Sequence, residues 1–505
     1  MSIVHKDNKA HGEQTWHANA RKQTALAVFV ILICACTSFL HGEVAPTLAQ
    51  AHKLYVAQFS EGDEAAPLRQ SLIKRLQKTG RYQIVDSADK ADLIMQGSGE
   101  VWIKGYLAIN LRSPSTNRQP VYGGFLSVDL VARNGEPVWS YLVTPSKLAW
   151  TNIRDDLANN LVKELLLAGT RANSLSAADA ASTSVKLSKT DLIASGATFP
   201  APLYRKWFAA FQRLHPEVHI TYKEVGSEAG TLQLANSQVD FAASDLSSSE
   251  VEASAPSFRH IASVLGGIVP IYNVKGIDHD LRFTPSILAG IFLGRIHKWN
   301  DPEIRSANKD AALPDSDIVV IHRSDGSGTT YAWSEFLSET TPAWKDSLGT
   351  GIQLKWPIGT GVEGNEKMAT TVQETPNSIG YTELVYAIQH RLSFGAVRNS
   401  SGQFIHADLD SLAEAAASQQ TTHSSGTPLS IPTIVNSPSR NAYPIATFTW
   451  LLLPSEIKDK EKAATLIELL KWILGPGQRE CSSLGYSPLP KEVADQQMQV
   501  VNTLK

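Results

Sequence analysis

The stretch IHRSDGSGTTYAW, residues 321–333, decides the fold of the larger part of this chain. It follows an apolar run typical of a β-strand and leads into an apolar-periodic helix, so it predicts a strand, a turn and a helix in succession. Asp325 and Ser327 are good N-cap residues, and Gly326 and Gly328 permit positive φ. The N–H groups of such a helix start bind phosphate or sulfate. An ordinary capped helix is the alternative that this stretch alone leaves open.

A second turn of the same design lies in residues 195–211, SGATFPAPLYRKWFAAF. A strand ends at Gly196, and Thr198 precedes a helix that begins near a proline. Thr198 and the N–H of Phe199 therefore stand at a helix N-terminus, where an anion can bind. A plain threonine cap is the alternative interpretation.

A third turn lies in residues 226–245, where Ser227 opens a helix and the following strand ends next to Asp245. Turns of this kind gather at the carboxyl ends of the strands in an open α/β sheet, which is where ligands bind. Three helix N-termini directed at one point predict a site for a tetrahedral oxyanion.

Asp245 is unexpected in an anion site, because a carboxylate repels sulfate and phosphate alike. It fits a ligand that carries a proton which the carboxylate can accept, as phosphate does at neutral pH and sulfate does not. Arg323 would supply the compensating cation, and Asp325 would orient its guanidinium. Asp325 as a simple N-cap remains the alternative.

These residues resemble the periplasmic phosphate-binding proteins of phosphate ABC transporters. The resemblance covers residues 192–489 and rests on several motifs in the family's order. They are GATFPAPLY (196–204), VDFAASD (239–245), IFLGRIHKWND (291–301), RSDGSGTT (323–330), GNEKMATTV (364–372), SIGYTE (378–383) and AYPIATFTWLL (442–452).

The resemblance implies an α/β fold of the two-lobed periplasmic binding protein class (type II), whose lobes close on the ligand about a hinge. It places the first lobe in residues 191–267 and 440–505 and the second in residues 268–439. It also implies phosphate contacts from both lobes, namely Thr198, Phe199, Ser227 and Asp245 from the first, and Arg323, Ser327, Gly328 and Thr329 from the second, with Asp325 supporting Arg323.

Two departures from the family's pattern concern affinity. Glu228 and Ala229 follow Ser227, where the family usually has small residues, and a carboxylate there is expected to lower affinity or to shift the helix start. Val362 and Glu363 replace the Gly-Lys usual before the GNE motif, which removes a cation. Weaker phosphate binding than in typical members is expected.

The chain is long enough for two or three domains, at 505 residues with a net charge of −3. Residues 1–51 hold an uncharged run at 24–40 and an A-x-A pattern at 49–51, which predict a secretory signal cleaved before His52, or else an inner-membrane anchor. Cleavage would leave Cys481 as the sole cysteine, expected to be buried. We expect a periplasmic protein.

Residues 52–170 predict a separate small α/β sandwich of unknown role, which precedes the phosphate-binding domain at 191–505. Its pattern includes strands at 93–96 and 101–111 and a hairpin through Asn134 and Gly135. One helix is expected after the first strand, and a second helix is expected to close the domain. Residues 171–190 are rich in Ala, Ser and Thr and predict a linker.

The expected partners are inorganic phosphate and the permease and ATPase subunits of an ABC transporter. No nucleic-acid partner, cofactor, metal or catalytic residue is expected, and the protein is expected to be monomeric. An enzyme would need a nucleophile with a base beside it; His322 next to Arg323 could be proposed as one but is expected to point away on its strand. A phosphate sensor or cell-envelope interaction protein, motivated by the extra domain, is the main alternative, and a phosphatase is a lesser one.

Overall fold

The computed structural model describes residues 48–60, 62–108, 118–145, 152–172, 187–246, 258–277, 280–417 and 433–504. The run at 24–40 and most of the expected linker lie outside them. Among the residues described, no helix combines the length and apolar character needed to cross a membrane. Leu48 and Ala51 are buried against the following domain, and the cleavage before His52 stays a prediction.

The first domain is a five-stranded sheet covered by two helices that pack on each other. Its strands lie in the order β2-β1-β3-β4-β5, with β1 parallel to both β2 and β3 and the remaining pairs antiparallel. The elements are β1 (Lys53–Val56), α1 (Ala65–Thr79), β2 (Gln83–Val85), β3 (Leu93–Ala108), β4 (Arg118–Ala132), β5 (Pro137–Val143) and α2 (Ile153–Ala172). This α/β arrangement has its own core, separate from that of the rest of the chain.

The expectation of two strands at 93–96 and 101–111 is wrong, because β3 is one continuous strand. Gly97 and Gly99 suggested a break, but their role is to admit neighbouring side chains. A Cβ on Gly97 would lie 2.7 Å from the ring of Phe59, and one on Gly99 would lie 2.8 Å from Leu68. The hairpin through Gly135, whose φ is +84°, forms between β4 and β5 as expected.

The second domain holds the remaining strands and helices. In chain order they are β6 (Thr190–Gly196), α3 (Ala201–Leu214), β7 (Val218–Glu224), α4 (Ser227–Ala235), β8 (Phe241–Ser244), β9 (Phe258–Asn273), β10 (Arg282–Phe283), α5 (Pro285–Phe292), α6 (Pro302–Ala307), β11 (Val319–Arg323), α7 (Gly328–Thr340), α8 (Pro342–Ser347), β12 (Thr360–Val362), α9 (Gly364–Glu374), β13 (Ser378–Glu383), α10 (Leu384–Gln389), β14 (Ser393–Phe394), β15 (Ala396–Arg398), β16 (Phe404–Ile405), α11 (Leu409–Ala417), β17 (Ala446–Pro454), α12 (Lys460–Leu474) and α13 (Lys491–Asn502).

Strand β9 joins two halves of this domain. It pairs with β17 up to Gly267, opposite Ala446, and with β13 from Ile268, opposite Glu383. We therefore use lobe I for the chain from β6 to the part of β9 before Ile268, together with β17 and the chain after it, whose helices pack on β6 and β9, and lobe II for the rest of β9 and the chain from β10 to β16. The two-lobed α/β architecture is confirmed.

Buried apolar residues account for both lobes. Twelve consecutive residues of β9, from Ile261 to Tyr272, are buried, as are all the residues of β8 and β13. Such continuous burial is typical of strands that are covered on both faces. The carboxyl ends of β6, β8 and β11 therefore lie at the edge where the two lobes meet.

Candidate anion-binding site

The predicted site residues come together between the lobes, and the eight predicted phosphate contacts are all buried, while Asp325 is partly exposed. Exposure is 7% for Thr198 and 3% or less for Phe199, Ser227, Asp245, Arg323, Ser327 and Thr329. Burying so many polar side chains in one place is unfavourable unless they bind one another or a ligand.

The two lobes contact each other directly at Ser227 and Gly328. Ser227 Oγ accepts hydrogen bonds from the backbone N–H groups of Asp245 and of Gly328, both at 3.3 Å. A Cβ on Gly328 would lie 2.6 Å from the Asp245 Cβ, so only glycine allows this approach. The structure therefore shows the cleft closed around these residues.

In lobe I the interpretation of Thr198 as a helix cap is wrong. Helix α3 has Pro200 as its N-cap residue and no side-chain capping bond. Thr198 Oγ1 instead accepts two hydrogen bonds from Asn365 of lobe II. One comes from the backbone N–H at 3.2 Å and the other from the side-chain Nδ2 at 3.0 Å. The Phe199 ring is buried against Tyr486, with ring centroids 6.3 Å apart.

In lobe II Arg323 and Asp325 form a close ion pair. Arg323 Nε donates to Asp325 Oδ1 at 2.7 Å, and Nη2 donates to Oδ2 at 2.5 Å. Burial raises the pKa of Asp325, but the hydrogen bond and charge of Arg323 outweigh it, so the pKa lies below its usual value. Asp325 is therefore the partner of Arg323, and Ser327, not Asp325, caps helix α7 by accepting from Thr330 N.

The guanidinium retains one free donor. Arg323 Nη1 is buried and has no hydrogen-bond partner among the residues described. Arg323 is also the only buried lysine or arginine in the described part of the chain. A buried, unpaired cationic N–H is costly, so this atom indicates an anionic ligand.

Asp245 has the opposite surroundings. Its Oδ1 accepts from the Thr449 hydroxyl at 2.6 Å, and the side chain is 1% exposed. Burial raises the pKa of Asp245 to about 7, although the Thr449 hydrogen bond and the Arg323 charge act to lower it. The group can therefore accept or hold a proton near neutral pH.

Two residues of the site were missed by the sequence analysis. Thr449 lies on β17 and reaches Asp245 only through the pairing of β17 with β8. Asn365 lies at the start of α9, directly after β12, and so repeats the strand-to-helix design of the other three turns. This repeated strand-to-helix pattern could have identified Asn365 from the sequence. No such pattern lies next to Thr449, which is in the middle of a strand.

Glu228 does not shift the start of helix α4, which begins at Ser227 as in the original expectation. Its backbone N–H donates to Gly326 O at 3.2 Å, and its carboxylate accepts from Gln353 Nε2 at 3.1 Å. Glu228 therefore connects the two lobes beside the site.

The groups proposed for other chemistries have structural partners. His322 stacks on Trp356 with ring centroids 4.8 Å apart, and its Nδ1 lies 3.0 Å from Arg323 O. Cys481, expected to be buried, is 0% exposed, and the tryptophans Trp299, Trp333 and Trp344 are fully buried in the core of lobe II. No group of three or more potential metal ligands occurs within the described ranges.

The relatives that this chain resembles in sequence are named phosphate-binding proteins. A family model described as a PBP superfamily domain matches residues 176–476. The phosphate-binding protein PstS of Xylella fastidiosa (strain Temecula1) is 37% identical over 303 residues, which cover 60% of this chain and 82% of that protein. The PstS proteins of Pasteurella multocida and Methanocaldococcus jannaschii are 35% and 33% identical, covering 59% and 62% of this chain and 86% and 85% of theirs. Among solved structures, the phosphate-binding protein of Stenotrophomonas maltophilia is 21% identical over 61% of this chain and 93% of its own, with a TM-score of 0.49.

Proposed function

The chain belongs to the PstS family of phosphate-binding proteins within the PBP superfamily, and from this premise we propose that lobes I and II capture inorganic phosphate for import by an ABC transporter. The observation that carries this proposal is the pairing of one buried free donor with one buried acceptor between the lobes. Arg323 Nη1 lacks a partner, and Asp245 can accept a proton. Monohydrogen phosphate offers both an oxyanion and a proton, and so it matches the two groups.

The proposed contacts are the eight residues named from the resemblance. Arg323 would bind the phosphate oxygens through Nη1, because its Nε and Nη2 are held by Asp325. The hydroxyls of Thr198, Ser227, Ser327 and Thr329 would donate to the same oxygens, with the N–H groups at the start of α7 adding their partial positive charge. Asp245 would accept the ligand's own proton.

Sulfate has no proton to donate at neutral pH. Facing an ionised Asp245, it would place two anionic oxygens together without a hydrogen between them, which is unfavourable in a buried site. The proposed site therefore selects phosphate through a repulsive contact as well as through attractive ones.

We propose that the protein binds phosphate without turnover. This part of the proposal is supported by the relatives, which are named as binding proteins, and by His322, the residue considered as a base, whose ring is stacked on Trp356. Titration calorimetry of the purified protein with phosphate tests binding, and incubation with a phosphate ester tests catalysis. One phosphate bound per chain and no released alcohol is the expected result; absence of binding would contradict the proposal.

Export to the periplasm, delivery to permease and ATPase subunits, and a monomeric state are parts of the same proposal. They are supported by the family and by the uncharged run at 24–40, which the sequence predicts to be a cleaved signal or an inner-membrane anchor. The additional domain at 52–170 favours sensing or cell-envelope interaction as the second candidate. Loss of phosphate uptake when the gene is deleted supports transport, whereas unchanged uptake supports the sensor.

A further inference from the structure

Asn365 lies between the lobes and contacts one predicted phosphate ligand on each. Its Nδ2 donates to Thr198 Oγ1 of lobe I at 3.0 Å and to Thr329 Oγ1 of lobe II at 3.3 Å. The side chain is fully buried, so these hydrogen bonds are shielded from water. Asn365 is thus in contact with the site without being one of the eight residues named for phosphate.

The hydrogen bonds to Thr198 have a fixed direction. The backbone N–H of Asn365 can only donate, so the Thr198 oxygen must accept this bond at 3.2 Å. Nδ2 of the same residue occupies the second lone pair of that oxygen. A hydroxyl whose two lone pairs are both occupied can only donate its proton to a further partner.

Thr382 on β13 completes the hydrogen bonds of the Asn365 amide. Its hydroxyl donates to Asn365 Oδ1 at 3.1 Å, and Thr382 is itself fully buried. In this orientation of the amide, the bonds run from Thr382 through Asn365 to the two threonines of the site. Exchanging the amide oxygen and nitrogen would remove the Nδ2 bond to Thr198 and use the Thr198 proton for a bond to Oδ1.

Resting on the proposed phosphate-binding function, we propose that Asn365 is a positioning residue that makes the Thr198 hydroxyl a hydrogen-bond donor toward the anion and holds the Thr329 hydroxyl beside it. Asp245 then remains as the proton acceptor facing the ligand. Because Thr198 and Asn365 belong to different lobes, this polarity is set only when the lobes close. Closure of the lobes therefore encloses the site and, at the same time, makes the Thr198 hydroxyl a donor.

A double-mutant cycle of phosphate affinity tests this role. In the wild-type background, N365A is expected to weaken phosphate binding about tenfold, as for loss of one hydrogen bond to a charged group. In the T198A background the same substitution should cost clearly less, because the hydroxyl through which it acts is absent. Equal losses in both backgrounds would show a merely structural role and would overturn the proposal.

Two further variants support the cycle. T382V leaves Asn365 in place but frees its amide, and it should weaken binding about threefold, within the range of a neutral hydrogen bond. N273A removes another lobe II amide, which donates to Val372 O and Gln373 O at the far end of α9, and should leave affinity unchanged. If T382V matches wild type, the proposal is wrong. Wild type that binds no phosphate would overturn the proposed function as well, which separates the two failures.

A second, independent observation concerns the first domain, which contacts both lobes. On lobe I, Ser127 Oγ donates to Ser483 O at 2.7 Å in a buried contact, and Lys206 Nζ lies 2.6 Å from Asp129. On lobe II, strand β3 provides a salt bridge from Glu100 to Arg391 at 2.7 Å.

The lobe II contact has further members but remains more exposed. Trp102 lies under the same Arg391 guanidinium, 5.8 Å from its ring centroid, and Lys104 pairs with Asp280. The side chains of Arg391 and Glu100 are 51% and 36% exposed. Exposed ion pairs are weak, whereas the buried serine contacts on lobe I are held more firmly.

We infer that the first domain stays attached to lobe I, and that its β3 contacts with lobe II stabilise the closed arrangement of the lobes. We call these contacts the brace; they join Glu100 and Trp102 to Arg391, and Lys104 to Asp280. Hinge opening moves lobe II relative to lobe I, so the β3 contacts must break while the lobe I contacts persist. A contact made only in the closed state shifts the population toward that state. The brace would slow phosphate release without touching phosphate.

A charge exchange at the brace tests this second inference. R391E should speed phosphate release about threefold, a size typical of a surface ion pair, and E100R/R391E should restore the wild-type rate. E136R, which disturbs the lobe I pair with Arg479, serves as the matched control and should not change the rate. Small-angle scattering of ligand-free R391E should show a more extended protein. An unchanged release rate in R391E, or no rescue in the double variant, would overturn the brace.

Discussion

Lobe I and lobe II each bring one aspartate to the cleft, fully buried Asp245 and partly buried Asp325, and the two carboxyl groups have opposite surroundings. Asp325 of lobe II is held by two hydrogen bonds from Arg323, which lower its pKa. Asp245 of lobe I has the single hydroxyl of Thr449 as its hydrogen-bonding partner on Oδ1, and burial raises its pKa to about 7. The same residue type therefore stays ionised to lower pH in lobe II, whereas in lobe I it titrates near neutral pH.

The difference assigns separate tasks to the two lobes. In lobe II, Asp325 orients the Arg323 guanidinium and occupies its Nε and Nη2 donors. This leaves Nη1 for a ligand. Lobe I supplies a group that senses whether the ligand carries a proton. In the site proposed above, affinity would depend mostly on lobe II, and discrimination between phosphate and sulfate mostly on lobe I.

The largest expected effect is that of R323A. It removes the only buried cation in the described part of the chain and leaves the carboxylates of Asp325 and Asp245 uncompensated. Phosphate affinity should fall by about 100-fold or more, as for loss of a buried charged hydrogen-bond partner. Titration calorimetry measures the loss, and R305A, on exposed helix α6, is the control. If R323A bound phosphate with near wild-type affinity, the assignment of phosphate affinity to lobe II would be wrong.

A smaller effect is expected from pH on sulfate binding by the wild-type protein. Below a pKa of about 7, Asp245 is protonated, so it no longer repels sulfate and can donate a hydrogen bond to it. Above that value the rejection is restored, and sulfate affinity should fall by up to about tenfold for each pH unit. Calorimetric titrations with sulfate between mildly acidic and mildly alkaline pH measure this slope. A flat profile would mean that Asp245 does not control discrimination.

The smallest effect on binding is expected for D325N. The amide keeps one hydrogen bond to Arg323 but loses the second, while the cleft gains net positive charge, and these changes oppose each other. Phosphate affinity should stay within about threefold of wild type, the size of a weak ion pair.

The same variant should show a clearer effect on stability. The pKa of Asp325 is lower in the folded protein than in the unfolded chain, so the group contributes stability at neutral pH and loses it as pH falls through the folded pKa. Wild type should therefore lose more stability than D325N on acidification, as measured by scanning calorimetry. Parallel losses in the two proteins would show that the Arg323 pairing does not stabilise the ionised form.

Sequence reasoning reached the elements and residues whose signals are local. The stretches around Thr198, Ser227 and Arg323 each carry glycines and a strand-to-helix turn within about twenty positions, and all three turns form as expected, although of Thr198, Asp325 and Ser327 only Ser327 caps its helix. The two-lobed architecture followed from motifs in a known order. The hairpin at Gly135 likewise had its full signal in two residues.

Contacts between distant parts of the chain had no such signal. Thr449 lies 204 positions from Asp245 and meets it only because β17 pairs with β8. Arg391 and Glu100 are separated by 291 positions and meet only because the first domain packs across both lobes. Local patterns contain no information on register or docking, which depend on tertiary packing.

The most direct test of the central claim is the binding of sulfate and phosphate by wild type and D245N, measured by calorimetry at mildly alkaline pH. D245N keeps the size of the side chain but removes its negative charge, so sulfate no longer faces an anionic acceptor. The ratio of phosphate to sulfate affinity is expected to fall by about tenfold or more in D245N, with phosphate still bound. Rejection of sulfate by D245N as complete as that by wild type would contradict the assignment of discrimination to lobe I.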